Sequence, residues 1–135
     1  MNLSNISKYI IFLVFFVFLF FLYIYGCYKD NFDTVDVNEF EKIIKENNVM
    51  ILDVRTEEEF KEGHIKNAIN IDYYSKDFVK TCKEKLKKDN KIAVYCQSGY
   101  RSKKSSKILS KEDFKIVNLK GGIDNWRKYN KQTVK

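Results

Sequence analysis

The chain has 135 residues, no proline and a formal net charge of +7, which fits one folded domain plus an appendage. The excess charge comes from lysines scattered along the chain, so we expect a solvated basic surface and no nucleic-acid groove. Three cysteines, Cys27, Cys82 and Cys96, are too few and too irregularly spaced for a disulfide framework. With His64 as the single histidine, they also indicate no metal site.

Residues 1–28 contain a long apolar segment. From Tyr9 to Tyr28 there are 20 residues without a charge, rich in Phe, Ile, Leu and Val. At about 1.5 Å per residue, a helix of this length spans roughly 30 Å, the thickness of a bilayer core. Tyrosines near both ends of the segment are typical of an aromatic belt. The composition therefore predicts an N-terminal hydrophobic helix that inserts in a membrane.

Three fates of this segment stay open: an uncleaved anchor, a lipoprotein signal and a cleaved secretory signal. The run Ile24-Tyr25-Gly26-Cys27 is similar to a bacterial lipobox that would lipidate Cys27, although Tyr25 fits that pattern poorly. Small residues near a cleavage site are missing, which argues against ordinary cleavage and favours the anchor. Lys8 favours a domain outside a bacterial cytoplasmic membrane, on the periplasmic or outer side, whereas Lys29 opposes that orientation.

Beyond a polar tether at residues 29–34, strand and helix patterns alternate. Apolar runs predict buried strands at Val49–Leu52, Ala68–Ile71, Ile92–Tyr95 and Phe114–Leu119. Amphipathic patterns predict helices at Asn38–Asn47, after Thr56, and at Ser75–Lys87, Ser102–Leu109 and Ile123–Tyr129. The alternation predicts an α/β domain over residues 35–131, with a central parallel sheet flanked by helices on both faces and a tail at 132–135.

The segment from Tyr95 to Ser102 places a cysteine at the carboxyl end of a predicted strand, in a tight loop that leads into a helix. In an open α/β sheet this is the usual place of a binding site. Inward-facing amides, the start of the helix and the guanidinium of Arg101 would all favour a thiolate and an anionic substrate. Cys96 is therefore a candidate nucleophile, whereas Cys82, on the apolar side of a helix, is expected to be a core residue.

Two groups of motifs resemble the halves of a rhodanese domain. The first group is Leu52-Asp53-Val54-Arg55, Glu59-Phe60, Gly63-His64-Ile65 and Ala68-Ile69-Asn70-Ile71. The second group is Tyr95-Cys96, Gly99, Arg101-Ser102, Val117-Asn118-Leu119, Gly121-Gly122 and Trp126. The resemblance covers about residues 35–131, in the order and spacing of the family. It implies a single-domain fold like that of thiosulfate sulfurtransferases, without a cofactor.

The resemblance also implies roles for individual residues. Cys96 would take a sulfane sulfur from thiosulfate or a related donor as a persulfide, and a thiol, cyanide or a protein acceptor would remove it. The substrate-binding loop would comprise Gln97, Ser98, Gly99, Tyr100, Arg101 and Ser102. Within it, Arg101 would hold the donor's oxyanion end, Ser102 would cap the helix, and Gly99 would permit a turn that a Cβ would obstruct.

Residues outside the loop would support it. Asp53 and Arg55 are expected to form an ion pair that braces the loop, the alternative being a role facing the substrate. His64 is expected to be structural, the alternative being a catalytic base. Gly121-Gly122 and Trp126 are interpreted as turn and packing residues.

Two alternatives belong to other classes of protein. A cysteine phosphatase or arsenate reductase needs five residues between cysteine and arginine, whereas here four residues separate Cys96 from Arg101. A catalytically silent, membrane-tethered module for protein binding or sulfur sensing is the other alternative. Silent modules generally lack the loop cysteine, which is present here.

Overall fold

The computed structural model describes residues 3–28 and 30–135, in two units, Met1–Asp30 and Asn31–Lys135. The first unit is a single helix, α1, at Leu3–Tyr28. Its segment Asn5–Gly26 has a mean hydropathy of 2.5 and is long and apolar enough to cross a membrane, as signal sequences also are. The predicted N-terminal hydrophobic helix is confirmed. The side chain of Cys27, on which the lipidation hypothesis depends, and Lys29 lie outside the described residues.

The second unit alternates strands and helices. Its elements are β1 Asp33–Val35, α2 Val37–Ile43, β2 Val49–Asp53, α3 Glu57–Glu62, β3 Ala68–Asn70, α4 Phe78–Lys85, β4 Lys91–Tyr95, α5 Tyr100–Lys111, β5 Lys115–Leu119 and α6 Gly122–Lys128. The five strands form one sheet in the order β1-β5-β4-β2-β3, and every neighbouring pair is parallel. The predicted α/β architecture is confirmed.

Successive strand residues point to opposite faces, and the sheet has an apolar cluster on each face. On one face, Leu52 and Val94 lie with Phe78 of α4 and Leu109 of α5. On the other face, Ile51, Ala93 and Val117 lie with α2 and α6, whose rings Phe40 and Trp126 meet edge to face at 6.3 Å. Burial on both faces explains why these strands are continuous apolar runs rather than alternating ones.

The folded unit is wider than the predicted range of 35–131. The predicted tether contains Asp33 and Thr34 of β1, which adds an edge strand to the sheet beside β5. The predicted tail also packs: His64 and Val134 exchange two backbone hydrogen bonds of 2.8 Å, and Trp126 Nε1 donates to the Gln132 carbonyl at 2.9 Å. Apolar periodicity gives no signal for these segments, because backbone pairing joins them to the domain and only one β1 residue, Val35, is buried.

The two central strands carry the site. Asp53 at the end of β2 lies opposite Tyr95 at the end of β4 in the parallel register. The carboxyl ends of these neighbouring strands therefore meet at one edge of the sheet. The segment that begins with Cys96 and the segment that contains Arg55 both leave the sheet there.

Candidate active site

Cys96 lies directly after β4, at the carboxyl edge of the sheet. It is only 1% exposed and belongs to the same apolar cluster as Cys82. The amide of Gly99, three residues further on, donates a hydrogen bond to the Cys96 sulfur at 3.1 Å. A hydrogen bond from a fixed amide favours a sulfur that carries negative charge. The loop therefore holds the thiol at the end of the strand with a donor already aimed at it.

The amino end of α6 fixes the direction of the peptide groups in the loop. The amide of Ile123 donates to the Cys96 carbonyl at 2.8 Å, and the amide of Asp124 donates to the Gln97 carbonyl at 3.1 Å. In a trans peptide, the C=O and N–H groups point in opposite directions. The N–H groups that follow these two carbonyls, those of Gln97 and Ser98, therefore point away from α6.

Several amides of the loop keep their donor capacity. Between residues 30 and 135, the structure provides no acceptor for the N–H groups of Gln97, Ser98, Tyr100, Arg101 and Ser102. The last three belong to the first turn of α5, where helical hydrogen bonding leaves the N–H groups unpaired and the helix dipole adds partial positive charge. With the Gly99 amide, they supply the donors that an anion-binding loop requires.

Two glycines allow this geometry. Gly99 has φ 98° and precedes α5 as its cap residue, a left-handed conformation that favours glycine. Gly122 has φ 60°, and a Cβ there would overlap the carbonyl oxygens of Cys96 and Gln97. The sequence interpretation of Gly121-Gly122 as a turn missed this contact. The sequence signal for this contact was the glycine pair itself. It lies at the start of a helix shortly after β5, and β5 is the neighbour of β4, which leads to Cys96.

The loop side chains differ in how available they are. Gln97 is held on both sides, because Nε2 donates to Asp124 Oδ1 at 2.6 Å and Oε1 accepts from Arg55 Nη1 at 3.2 Å. Its side chain therefore fixes the loop in place. Ser98 is exposed, and Tyr100 is 64% exposed. These two side chains lie on the solvent side of the loop.

Ser102 is not the helix cap that the sequence predicted. Helix α5 begins two residues earlier, at Tyr100, and Gly99 occupies the cap position. The Ser102 side chain is fully buried, and its hydroxyl donates to the Gly99 carbonyl at 3.2 Å. The left-handed glycine lets the helix start early, which places Ser102 inside the first turn. Its backbone amide is then the only part of Ser102 left as a donor in the loop.

Arg101 pairs with Glu59 of α3. Both terminal nitrogens of the guanidinium donate to the two carboxylate oxygens, at 2.7 and 2.6 Å. The hydrogen bond with Arg101 lowers the pKa of Glu59 to about 2. The same hydrogen bond is the main cause of the raised pKa of Arg101, to which the charge of Cys96 also contributes. Each of the two terminal nitrogens that would bind a donor's oxyanion thus already donates to a carboxylate.

Asp53 and Arg55 form a buried ion pair beneath the loop. Both side chains are at most 1% exposed, and Arg55 Nη2 lies 2.7 Å from Asp53 Oδ2. The same nitrogen donates to the Gly63 carbonyl at 2.8 Å. Because Nη1 reaches Gln97, the guanidinium connects β2, the end of α3 and the cysteine loop.

Cys82 lies in the apolar core, and the His64 ring packs on a neighbouring ring. Burial raises the pKa of Cys82 to about 12, so its thiol is protonated at neutral pH. The His64 ring stacks on Phe60 with centroids 3.7 Å apart, and Nδ1 lies 3.1 Å from the Phe60 carbonyl oxygen. Within residues 3–28 and 30–135, no group of three or more His, Cys, Asp and Glu side chains could hold a metal ion.

The fold and the site define a class: an α/β domain with a cysteine in an amide-lined loop at the carboxyl edge of a parallel sheet. The family model of the rhodanese-like domain matches residues 36–129, and the chain belongs to that family.

Relatives and solved structures agree with this assignment. The chain is 37% identical over 93 residues to a tRNA uridine(34) hydroxylase of Acinetobacter baumannii, a match that covers 66% of this chain and 30% of that protein. It is 33% identical over 105 residues to rhodanese-like domain-containing protein 17 of Arabidopsis thaliana, which covers 69% and 67%. A rhodanese-related protein of Thermoplasma volcanium superposes with a TM-score of 0.65 at 31% identity, covering 76% of this chain and 98% of that one.

The match to the hydroxylase is confined to a part of that protein. This chain spans about a third of its length.

Proposed function

We propose that the protein is a sulfurtransferase that moves a sulfane sulfur from thiosulfate or a related donor to a thiophilic acceptor through a persulfide on Cys96. The observation that carries this proposal is the loop geometry. The Gly99 amide donates to the Cys96 sulfur at 3.1 Å, and five neighbouring amides keep their donor capacity. Such donors stabilise an anionic sulfur, both as the attacking thiolate and as the persulfide.

The reaction has two displacement steps. With thiosulfate, the Cys96 thiolate attacks the outer sulfur, a new S–S bond forms, the old one breaks, and sulfite leaves with the electron pair. A thiol or cyanide then attacks the outer sulfur of the persulfide, and the Cys96 thiolate leaves. The amides of Gln97, Ser98 and Gly99 hold the negative sulfur during both steps.

The test is the mass of the intact full-length chain, purified in a nonionic detergent, before and after incubation with thiosulfate or a hydropersulfide. We expect one added sulfur on Cys96, which cyanide removes. If none of these donors adds sulfur to a folded protein, the sulfurtransferase proposal is wrong.

A catalytically silent module for protein binding or sulfur sensing is the alternative function. The 1% exposure of Cys96 favours the silent module, because a donor can reach so buried a sulfur only if the cysteine loop moves. The same mass measurement separates the two functions, since a silent module stays folded without gaining sulfur.

The partners that we propose are sulfur donors and acceptors, and no nucleic acid. The relative from Acinetobacter baumannii is named for a reaction on tRNA, but this chain spans only 30% of it. We assign sulfur handling to the shared domain. Binding assays with a tRNA pool, expected to give no binding above that of a polyanion such as heparin, test this assignment.

We further propose that α1 is an uncleaved anchor with the domain on the extracytoplasmic side of a bacterial membrane. Support comes from the apolar helix at Asn5–Gly26 and from Lys8 before its core. Resistance to alkaline extraction, with protease sensitivity of the domain in intact spheroplasts, is the expected result. A mass shift on Cys27 would instead indicate a lipoprotein.

A further inference from the structure

Glu59 holds Arg101 from a fixed position. Its carboxylate accepts both terminal nitrogens of Arg101 at 2.6 and 2.7 Å and the Thr56 amide at 2.9 Å. The Glu59 amide donates in turn to the Thr56 hydroxyl, which completes a capping box at the start of α3. The carboxylate is therefore anchored to α3, and it holds the end of the cysteine loop there.

Because of this pair, the guanidinium at the end of the cysteine loop is not free. Arg101 and Glu59 together carry no net charge, and the low pKa of Glu59, about 2, keeps it ionised at any working pH. Arg55, the other arginine that contacts the loop, is paired with Asp53. The ammonium of Lys104 lies over the exposed Tyr100 ring at 4.4 Å, where water screens its charge. The site therefore relies on amide dipoles to hold an anion.

Donors differ in how much charge they bring to such a site. Thiosulfate adds a dianion to the Cys96 thiolate, so three negative charges share the loop before and after transfer. In a hydropersulfide, R–S–SH, the thiolate attacks the terminal sulfur and one S–S bond replaces another. The thiolate R–S⁻ leaves with the electron pair, the proton stays on the transferred sulfur, and one negative charge is present throughout.

On the basis of the proposed function, we infer that Glu59 is a specificity-determining residue that disfavours thiosulfate and directs the site towards hydropersulfides. It acts through Arg101, whose two terminal nitrogens already donate to it and whose charge it cancels. The sulfonate end of thiosulfate would meet a carboxylate where a free guanidinium would bind it. A hydropersulfide has no sulfonate and needs only the amides around the sulfur.

The test is a series of variants that changes the charge of the pair in single steps. Glu59→Gln gives the pair a charge of +1, Arg101→Gln gives −1, and the double variant is neutral like the original chain. Glutamine also serves in a capping box, so α3 keeps its start. The full-length chain in nonionic detergent is mixed with thiosulfate or cysteine hydropersulfide, and rapid quenching with mass analysis gives the rate of sulfur addition to Cys96.

The quantity measured is the ratio of the rate constant for thiosulfate to that for hydropersulfide. We expect Glu59→Gln to raise it at least about tenfold, Arg101→Gln to lower it by a similar factor, and the double variant to lie within about threefold of the original chain. A variant that is partly unfolded loses both rates together, so the ratio still reports on charge. Glu58→Gln, an exposed residue of the same helical turn, is the matched control and should leave the ratio unchanged.

A ratio that does not follow the charge of the pair would overturn the inference while the sulfurtransferase function stands. Failure of both donors to load Cys96 in the original chain would instead contradict the proposed function itself. A rise in the ratio for Glu58→Gln as large as that for Glu59→Gln would show a general charge effect, and would also overturn the specific role of Glu59.

Discussion

Cys82 and Cys96 are two thiols in one apolar cluster with different surroundings. They are 0% and 1% exposed, so burial does not distinguish them. Cys82 lies within α4, and burial raises its pKa to about 12. Cys96 lies at the end of a strand and accepts an amide hydrogen bond from Gly99. Two thiols of equal exposure therefore differ in their backbone surroundings, because the loop supplies the Cys96 sulfur with a hydrogen-bond donor.

The largest expected effect is the loss of sulfur transfer when Cys96 is replaced. Cys96→Ser in the full-length chain should reduce sulfur loading below detection, at least about a thousandfold, because a serine hydroxyl is not ionised at neutral pH. Cys82→Ala should load sulfur within about twofold of the original chain. Intact mass after incubation with a donor measures both, and peptide mapping that found sulfur on Cys82 of Cys96→Ser would remove the distinction between the two thiols.

The two thiols should also differ in alkylation. With iodoacetamide at about pH 8, we expect Cys96 in the folded protein to react at least about a hundredfold faster than Cys82, because only thiolates react and the raised pKa of Cys82, about 12, keeps its thiol protonated. Peptide mapping by mass spectrometry assigns the label to each cysteine, and both should react in denaturant. Equal protection of both thiols in the folded state would favour the silent module.

The sequence predicted the strands of the sheet centre and the cysteine loop because both depend on local patterns. Val49–Leu52 and Ile92–Tyr95 are apolar runs buried on both faces, and Cys96 directly follows the second run. The relations that complete the site join distant residues. Glu59 and Arg101 are 42 positions apart, and no spacing rule brings α3 to α5.

Other features were missed because they involve backbone groups, which every residue type supplies. The donation from the Ile123 amide to the Cys96 carbonyl and the bridge between His64 and Val134 leave no side-chain signature. The cap at Gly99 instead of Ser102 was missed for the same reason, because it depends on the backbone conformation of Gly99, with its φ of 98°. Ser is a preferred cap residue, but here the left-handed Gly99, three residues earlier, already starts the helix.

If the direction of the loop amides distinguishes Cys96 from Cys82, shifting the contact between α6 and the loop should slow the reactions of Cys96 and leave Cys82 unchanged. Gly122→Ala places a Cβ against the Cys96 and Gln97 carbonyls, so the loop must shift. We expect sulfur loading about tenfold to a hundredfold slower, measured well below the melting temperature, with Cys82 alkylation unchanged. Gly26→Ala, where nothing lies within 4 Å of the new Cβ, is the control. Normal loading by Gly122→Ala would mean that α6 does not set the direction of the loop amides.

Glu59 supports the Cys96 loop, and we expect its loss to have a small effect on the stability of the protein in acid. The folded pKa of Glu59 is about 2, below the value of about 4.3 expected in an unfolded chain. The ionised Glu59 carboxylate therefore contributes fully to the free energy of unfolding above about pH 4.3, and this contribution is lost as the pH falls towards 2. Because the Glu59–Arg101 pair is partly exposed, we expect it to contribute about 1 kcal/mol to the free energy of unfolding. The free energy of unfolding by urea, measured on the full-length chain between about pH 2 and 6, should fall less for Glu59→Gln than for Glu58→Gln. Parallel curves for these two variants would mean that the ion pair does not stabilise the loop in the folded state.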